Sequence, residues 1–256
     1  MTTIHPTAQQ GFSSGAELYQ QTRPSYPQEV ISWLRNGLNL NHHSSVVDLA
    51  AGTGKFTHYI KQVTQHITAI EPVDAMRAQF QHVHPELSIE QGLSHHLPLP
   101  DHTVDAVLCA QAFHWFADRA SLQEIHRVLK PQGHFGLVWN QRDTSVAWVQ
   151  AIADILLPLE QHTPRFHSGE WKHAFEQQSW FKLDTEQHFI HQHIGTVEQV
   201  VSKRLLSTSF IAMMPDHQQQ QLKQQFEQVV FDYLGKSPQD EIAFPYLTYA
   251  YDFIAQ

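Results

Sequence analysis

Up to about Asn140 the chain alternates short apolar or β-branched runs with stretches whose apolar positions recur every three to four residues. That rhythm predicts a parallel sheet with crossover helices. Residues 27–38 (PQEVISWLRNGL) put Val30, Trp33, Leu34 and Leu38 on one helical stripe, with Pro27 suited to a first turn. VVDLAA (46–51) follows as a buried strand, HITAIEP (66–72) as a second and LSIEQG (87–92) as a third. Between the last two, DAMRAQFQHV predicts a helix that turns Met76, Phe80 and Val83 inward. VDAVLCAQAF (104–113) is a fourth strand and GHFGLVWN (133–140) a fifth. The helix between them carries Leu122, Ile125 and Leu129 on its stripe and is stopped by Pro131 and Gly133.

Beyond 140 the order changes. SVAWVQAIADILLPLE predicts a helix through Val146, Val149, Ala153 and Leu156, and LDTEQHFIHQHI alternates as a strand. Leu222, Phe226, Val229 and Tyr233 mark another helix, and EIAFPYLTYAYDFIA is a late strand interrupted by Pro245. Two late strands extending the same sheet, with helices between them as a cap, make one domain over 1–256. Its N-terminal helices fill 1–40, its ligand-binding core 41–140, and its cap and last strands 141–256. The expected architecture is α/β and Rossmann-like.

Composition narrows the function. Sixteen Lys+Arg against twenty-five Asp+Glu give a formal charge of -9, which lacks the basic footprint of a nucleic-acid binder. No stretch approaches the roughly 20 apolar residues of a membrane span. The single cysteine, Cys109, rules out an intrachain disulfide and fits a reducing compartment. A soluble, cytoplasmic protein without a nucleic-acid or membrane partner is expected. Twenty histidines raise the question of a metal. His188, His191 and His193 cluster in HFIHQH, yet no cysteine or carboxylate pattern completes a ligand set, so polar surface enrichment is the better account and no metal is expected.

The chemistry sits at VVDLAAGTGKF (46–56), a strand that runs into a turn with Gly52 and Gly54. Glycine at such a turn lets backbone approach a ligand at the strand's carboxyl end, where open α/β sheets bind. A phosphate-binding P-loop is excluded, because Leu49 stands five before Gly54 and Phe56 follows Lys55. A dinucleotide fingerprint needs a third glycine where Thr57 stands. The third option is a nucleoside with an amino-acid tail. Glu71, 17 positions after Gly54, serves the ribose hydroxyls in either of the last two cases. Asp48 is awkward beside a pyrophosphate and welcome beside an ammonium, which favours S-adenosylmethionine.

These residues resemble the class I S-adenosylmethionine-dependent methyltransferases, within them the small-molecule branch that includes trans-aconitate-methyltransferase-like proteins. VVDLAAGTGKFT resembles the first motif and AIEPVDAM the second; GLSHHLPLPDHTVDAVLCAQAFHWF resembles the third and fourth, and HRVLKPQGHFGLVWN the segment after them. FSSGAELYQQTRPSYP is similar to the branch's leading segment, and RLLSTSFIAMMP is a faint later echo. The chain departs from the pattern at Ala50, where a glycine is usual, and at Leu93, Ser94 and His95, where an acid or small polar group usually meets the adenine.

The resemblance implies a seven-stranded sheet with its last strand antiparallel. It places Asp48, Ala50, Gly52 and Gly54 on the methionine side of the cofactor and Glu71 on the ribose. Pro72, Val73 and Met76 face the adenine, and Gly92, Leu93 and Ser94 close its far edge. Gln111 and Ala112 lie beneath the sulfonium, and Tyr19 and Arg23 reach the carboxylate. His114, Trp115 and Phe116 follow the fourth strand on the rim where an acceptor sits. His114 either acts as a base or bonds an acceptor carboxylate, or it only shapes the pocket floor, while Trp139 and Asn140 are candidates for the acceptor wall. The implied activity is methyl transfer to a small molecule, a carboxylate first and a hydroxyl second, by a monomer or homodimer. The alternatives are a nicotinamide-dependent oxidoreductase, a methyltransferase acting on nucleic acid and disfavoured by the charge, and an inactive S-adenosylmethionine-binding protein.

Overall fold

Seven strands form one sheet in the computed structural model, which describes residues 20–160 and 163–256. They are β1 (Val46–Leu49), β2 (Ile67–Ile70), β3 (Ile89–Glu90), β4 (Val104–Ala110), β5 (Leu129–Arg142), β6 (Phe181–Thr196) and β7 (Glu241–Ala255). Their order is β3-β2-β1-β4-β5-β7-β6. The first five run parallel, and β7 is antiparallel to both of its neighbours.

Central strands are buried on both faces, so they read as near-continuous apolar runs and not as alternation. In β1, Val47 and Leu49 pack into one cluster with Val107, Phe135 and the helix α4 (Arg119–Val128), while Val46 faces the other side. That other side is covered by α1 (Glu29–Ser32), the π-helical turn Trp33–Gly37 that continues it, and α2 (Thr57–Ile60). Trp33, Leu34, Phe56, Tyr59 and Ile60 fill the space between. Helix α3 (Asp74–Val83) lays Phe80 against Ala51 and Ala69. Asp118 caps α4 by accepting from the Ser121 N–H at 2.7 Å.

A third cluster is the cap. Helix α5 (Ala147–Glu160), the π-helical segment Glu198–Lys203, α6 (Arg204–Leu206), α7 (Ser209–Ala212) and α8 (Asp216–Leu234) converge on Phe226, Val200 and Ile152. The start of β7 joins them through Ile242, Phe244 and Tyr246, whereas Tyr251 and Phe253 of the same strand belong to the main core. Cap and sheet are therefore sewn together by one strand.

Three expectations change. Leu129 is not on the stripe of α4, which ends at Val128; it opens β5, and Pro131 and Gly133 lie within that strand. Pro245 does not interrupt β7, which pairs with β6 along its whole length. The Pro245 carbonyl accepts from the Asp143 N–H on the β5 side, and the missing proline N–H faces that same side, beyond the last β5 pair, so no ladder bond to β6 is lost. Tyr233 does not share the inward stripe of α8: it is exposed, and Leu222, Phe226 and Val230 are the buried set. At the sheet edge, β6 pairs only with β7 and leaves Ile190 and Ile194 exposed.

Candidate functional site

In strand order 3-2-1-4-5 the chain leaves β1 toward one side of the sheet and β4 toward the other, which opens a crevice between their carboxyl ends. Two loops line it. Ala50 after β1 and Gln111 after β4 both hold positive φ, +57° and +64° in turn, and a side chain held there is a strain that folds tend to retain where backbone must be aimed. A cavity at this point is lined by Arg23, Asp48, Ala50, Gly52, Lys55, Gln111, Asn140 and Arg204.

The two glycines of the turn do different things. A Cβ on Gly52 would meet nothing within 4 Å, so that backbone faces open space. A Cβ on Gly54 would lie 2.4 Å from the His84 ring and 2.9 Å from Phe80, so Gly54 is required for the turn to pack on α3. His84 Nε2 is also 2.9 Å from the Gly54 carbonyl oxygen.

Behind the turn lie two acids. Asp48 accepts from the Thr57 hydroxyl through Oδ2, while its Oδ1 is buried with no partner among the described residues. Burial pushes its carboxyl up to about 7, against the Thr57 hydrogen bond and with help from the neighbouring Glu71. Glu71 accepts from Gly52 N–H at 3.0 Å and from Val73 N–H at 2.9 Å. Burial raises it to about 7 as well, against those two N–H groups and Arg77. An orphaned carboxylate oxygen beside an open glycine cradle fits an ammonium-bearing ligand.

A second cavity adjoins the first and shares Arg23, Gln111, Asn140 and Arg204 with it. It adds His114, Trp115, Arg142, Arg165, His167, Ser209 and Tyr246. Four arginines in one cavity stand out in a chain of net charge -9. Arg142 Nε and Arg204 Nε and Nη1 are buried with no hydrogen-bond partner among the described residues, as is the Tyr246 hydroxyl. Burial lowers Arg142 to about 10, with Tyr246 partly opposing, so it is still cationic at neutral pH. Arg165 is lowered by burial and held by Glu160, whose Oε1 is 3.4 Å from its Nε. Glu160 Oε2 takes His167 at 2.8 Å. Lys55, in the first cavity, is lowered to about 8 by burial and by Arg23 and Arg204.

Among the residues expected from sequence, Arg23, Asp48, Ala50, Gly52, Gln111 and Asn140 line the first cavity, and His114 and Trp115 join the second. Asn140 is braced at both ends, donating to the Ser25 carbonyl at 2.8 Å and accepting from the Thr248 hydroxyl at 2.6 Å. Trp139 is fully buried and reaches the cavity only through His114. Gly54, Glu71, Pro72, Met76, Gly92, Leu93 and Ser94 line neither cavity; Met76 lies on the buried face of α3, and Ser94 Oγ is 2.8 Å from Ser121 Oγ. Ala112 packs on the main core, and Tyr19 lies outside the described residues.

Arg142, Arg165, Arg204 and Lys55 were not singled out from sequence. A signal existed for the first: Arg142 stands two residues past Asn140 on the same strand and so shares its face. Arg204 lies in the RLLSTSF echo.

The methyltransferase-domain family matches residues 47–137. An uncharacterized methyltransferase-like protein of Schizosaccharomyces pombe is 33% identical over 245 residues, covering 94% of this chain and 93% of its own. An uncharacterized methyltransferase of Mycobacterium tuberculosis is 34% identical across 67% of this chain and 74% of its own. Among solved structures, the YcgJ protein of Bacillus subtilis superposes with a TM-score of 0.57 at 17% identity, over 89% of this chain and 98% of that one. A type II methyltransferase candidate from Anaeromyxobacter dehalogenans reaches 0.64 at 19% identity, over 91% and 97%. With the strand order and the crevice between β1 and β4, these likenesses establish that the chain belongs to the class I S-adenosylmethionine-dependent methyltransferases.

Proposed function

We propose that the protein binds S-adenosylmethionine in the first cavity and methylates a small acceptor in the second, with a carboxylate as first choice and a hydroxyl as second. It works in the cytoplasm, on a small molecule and not on nucleic acid. The observation that carries the acceptor class is the pair Arg142 and Arg204, whose buried, unpartnered N–H groups in the second cavity favour a carboxylate over any neutral group, with Arg165 on the same cavity wall. In the first cavity Asp48 suits the cofactor's ammonium, and Glu71, which stands behind the cavity and accepts from the Gly52 N–H of its wall, suits the ribose. The cofactor supplies the methyl group on a sulfonium; the protein aligns, neutralises and excludes water. The test is release of S-adenosylhomocysteine from S-adenosylmethionine over a panel of carboxylic acids, alcohols and phenols. Turnover confined to alcohols or phenols would reverse the order of acceptors, and binding of cofactor without turnover of anything would point to the inactive binder.

Two outcomes follow for the cofactor side. Glu71→Ala is expected to weaken S-adenosylhomocysteine binding by about 1 to 3 kcal/mol, because the ribose loses a charged acceptor in a buried site. Calorimetry giving an unchanged Kd would remove Glu71 from the ribose. The second outcome concerns pH. Both acids are mostly protonated below about 7, and each must ionise to hold its part of the ligand, so binding at low pH expels protons. Affinity is therefore expected to rise between pH 6 and pH 8, by roughly tenfold for each acid engaged. A flat affinity across that range, measured in two buffers of different ionisation heat, would show that neither acid meets the ligand.

A further inference from the structure

Trp139 and His114 form a pair that constrains what can happen in the second cavity. The indole Nε1–H of Trp139 lies 3.1 Å from His114 Nδ1. An indole nitrogen only donates, so Nδ1 must present a lone pair, and the proton of the neutral ring sits on Nε2. Trp139 cannot turn away, because its fully buried ring packs on Phe166 at 4.9 Å and Trp171 at 4.8 Å between centroids, with Tyr251 edge-on at 6.0 Å. His114 lines the second cavity, and its Nε2 makes no hydrogen bond among the described residues.

We propose that Trp139 is a positioning residue that locks His114 as an uncharged Nε2–H donor facing the acceptor, so that the acceptor side contains no general base at this histidine. The charges around the ring agree. Arg165 and His167 oppose an imidazolium, Arg142 and Arg204 line the same cavity, and the nearby carboxylate, Glu160, is engaged with Arg165 and His167. Burial first, then Arg165 and His167, lowers His114 to about 3.

This deepens the proposed function and rests on its reading of the second cavity as the acceptor side. A hydroxyl acceptor must lose its proton to a base, and a histidine whose Nδ1 is taken and whose Nε2 already carries hydrogen cannot receive it. An ionised carboxylate needs none: its oxygen forms one C–O bond to the methyl carbon, the C–S bond breaks with its electron pair going to sulfur, and no proton moves. The lock therefore selects acceptors that arrive already anionic, with the Nε2–H donating to the carboxylate.

The deciding experiment is long-range 15N–1H correlation of the imidazole nitrogens in the full chain labelled at histidine, with the His114 signals identified by their loss in His114→Gln. The expected result is an unprotonated Nδ1 and a protonated Nε2 that do not titrate from pH 5 to pH 8. In Trp139→Phe, which keeps an aromatic ring and removes the donor, the same nitrogens are expected to show mixed tautomers. A native Nδ1–H, or titration of His114 inside that range, would overturn the lock. Kinetics supply the second arm: with the best acid of the panel, His114→Gln should exceed His114→Leu by at least tenfold in kcat/KM, since glutamine keeps an N–H. Equal rates for the two would remove the donor role. If no acid is turned over while the tautomer is as described, the carboxylate reading fails and the lock stands.

Discussion

Gly54→Val is expected to destabilise the fold by roughly 3 to 5 kcal/mol and to abolish S-adenosylhomocysteine binding, the sum of a strained positive φ and an overpacked contact. Gly54 holds φ +83°, which a β-branched residue strongly disfavours, and its added Cβ would overlap His84 and Phe80. Neither neighbour has room to yield: both are buried, and His84 is tied to the Gly54 carbonyl while its own carbonyl accepts from Leu87 N–H. The turn would have to swing off α3 and carry Gly52 away from Glu71. Urea unfolding monitored by tryptophan fluorescence checks the first part, and a midpoint equal to the native one would show that the turn is free of α3 in solution. Gly52→Ala is the control that separates strain from overpacking, since Gly52 also holds a positive φ, +58°, but nothing lies within 4 Å of its added Cβ.

Phe226→Ala is expected to cost about 3 to 5 kcal/mol, the usual penalty for emptying a fully buried aromatic site. Phe226 has no exposed surface and sits at the centre of the cap. The informative part is how the loss is distributed. Because β7 carries Tyr246 into the cap and Tyr251 and Phe253 into the main core, cap and sheet should melt together, in one transition shifted down. Two separated transitions in calorimetry would mean that the cap is a unit of its own. Since Tyr246 belongs to the cap and lines the second cavity but not the first, a loosened cap should also weaken the acceptor side before the cofactor side.

The parts of this molecule that were legible in the sequence are those whose cause is local. An apolar run ending at Asp48, a turn with two glycines, and an acid closing the second strand are set by a few neighbouring residues, and they fold where the pattern puts them. Burial on both faces makes β1 and β4 readable as apolar runs interrupted only by Asp48 and Asp105. Pro245 misleads because the cost of a proline depends on which side of the strand its nitrogen faces, and register is not written in one strand. The cationic lining of the second cavity was hidden for a similar reason. Arg142, Arg165 and Arg204 come from a strand end, a loop and a cap helix, and each alone reads as a surface charge. Only the folding of the cap over the sheet brings them together. Trp139 shows the reverse case: its position at the strand end was plain, but its partner and the direction of its N–H were not.

The strand order also bears on how the chain is made. Strand β6 has one neighbour, β7, and the last residue of β7 is synthesised 59 positions after β6 ends, from Thr196 to Ala255. At about 5 to 20 residues per second of translation, β6 spends roughly 3 to 12 seconds out of reach of its finished partner. During that interval Ile190 and Ile194 have neither a ladder nor a sheet beside them, and both remain exposed even in the finished protein. Yield of intact protein should thus depend on how fast the stretch between β6 and β7 is translated and on what shields β6 meanwhile, a sensitivity that lies in ribosome time and not in the stability of the native state.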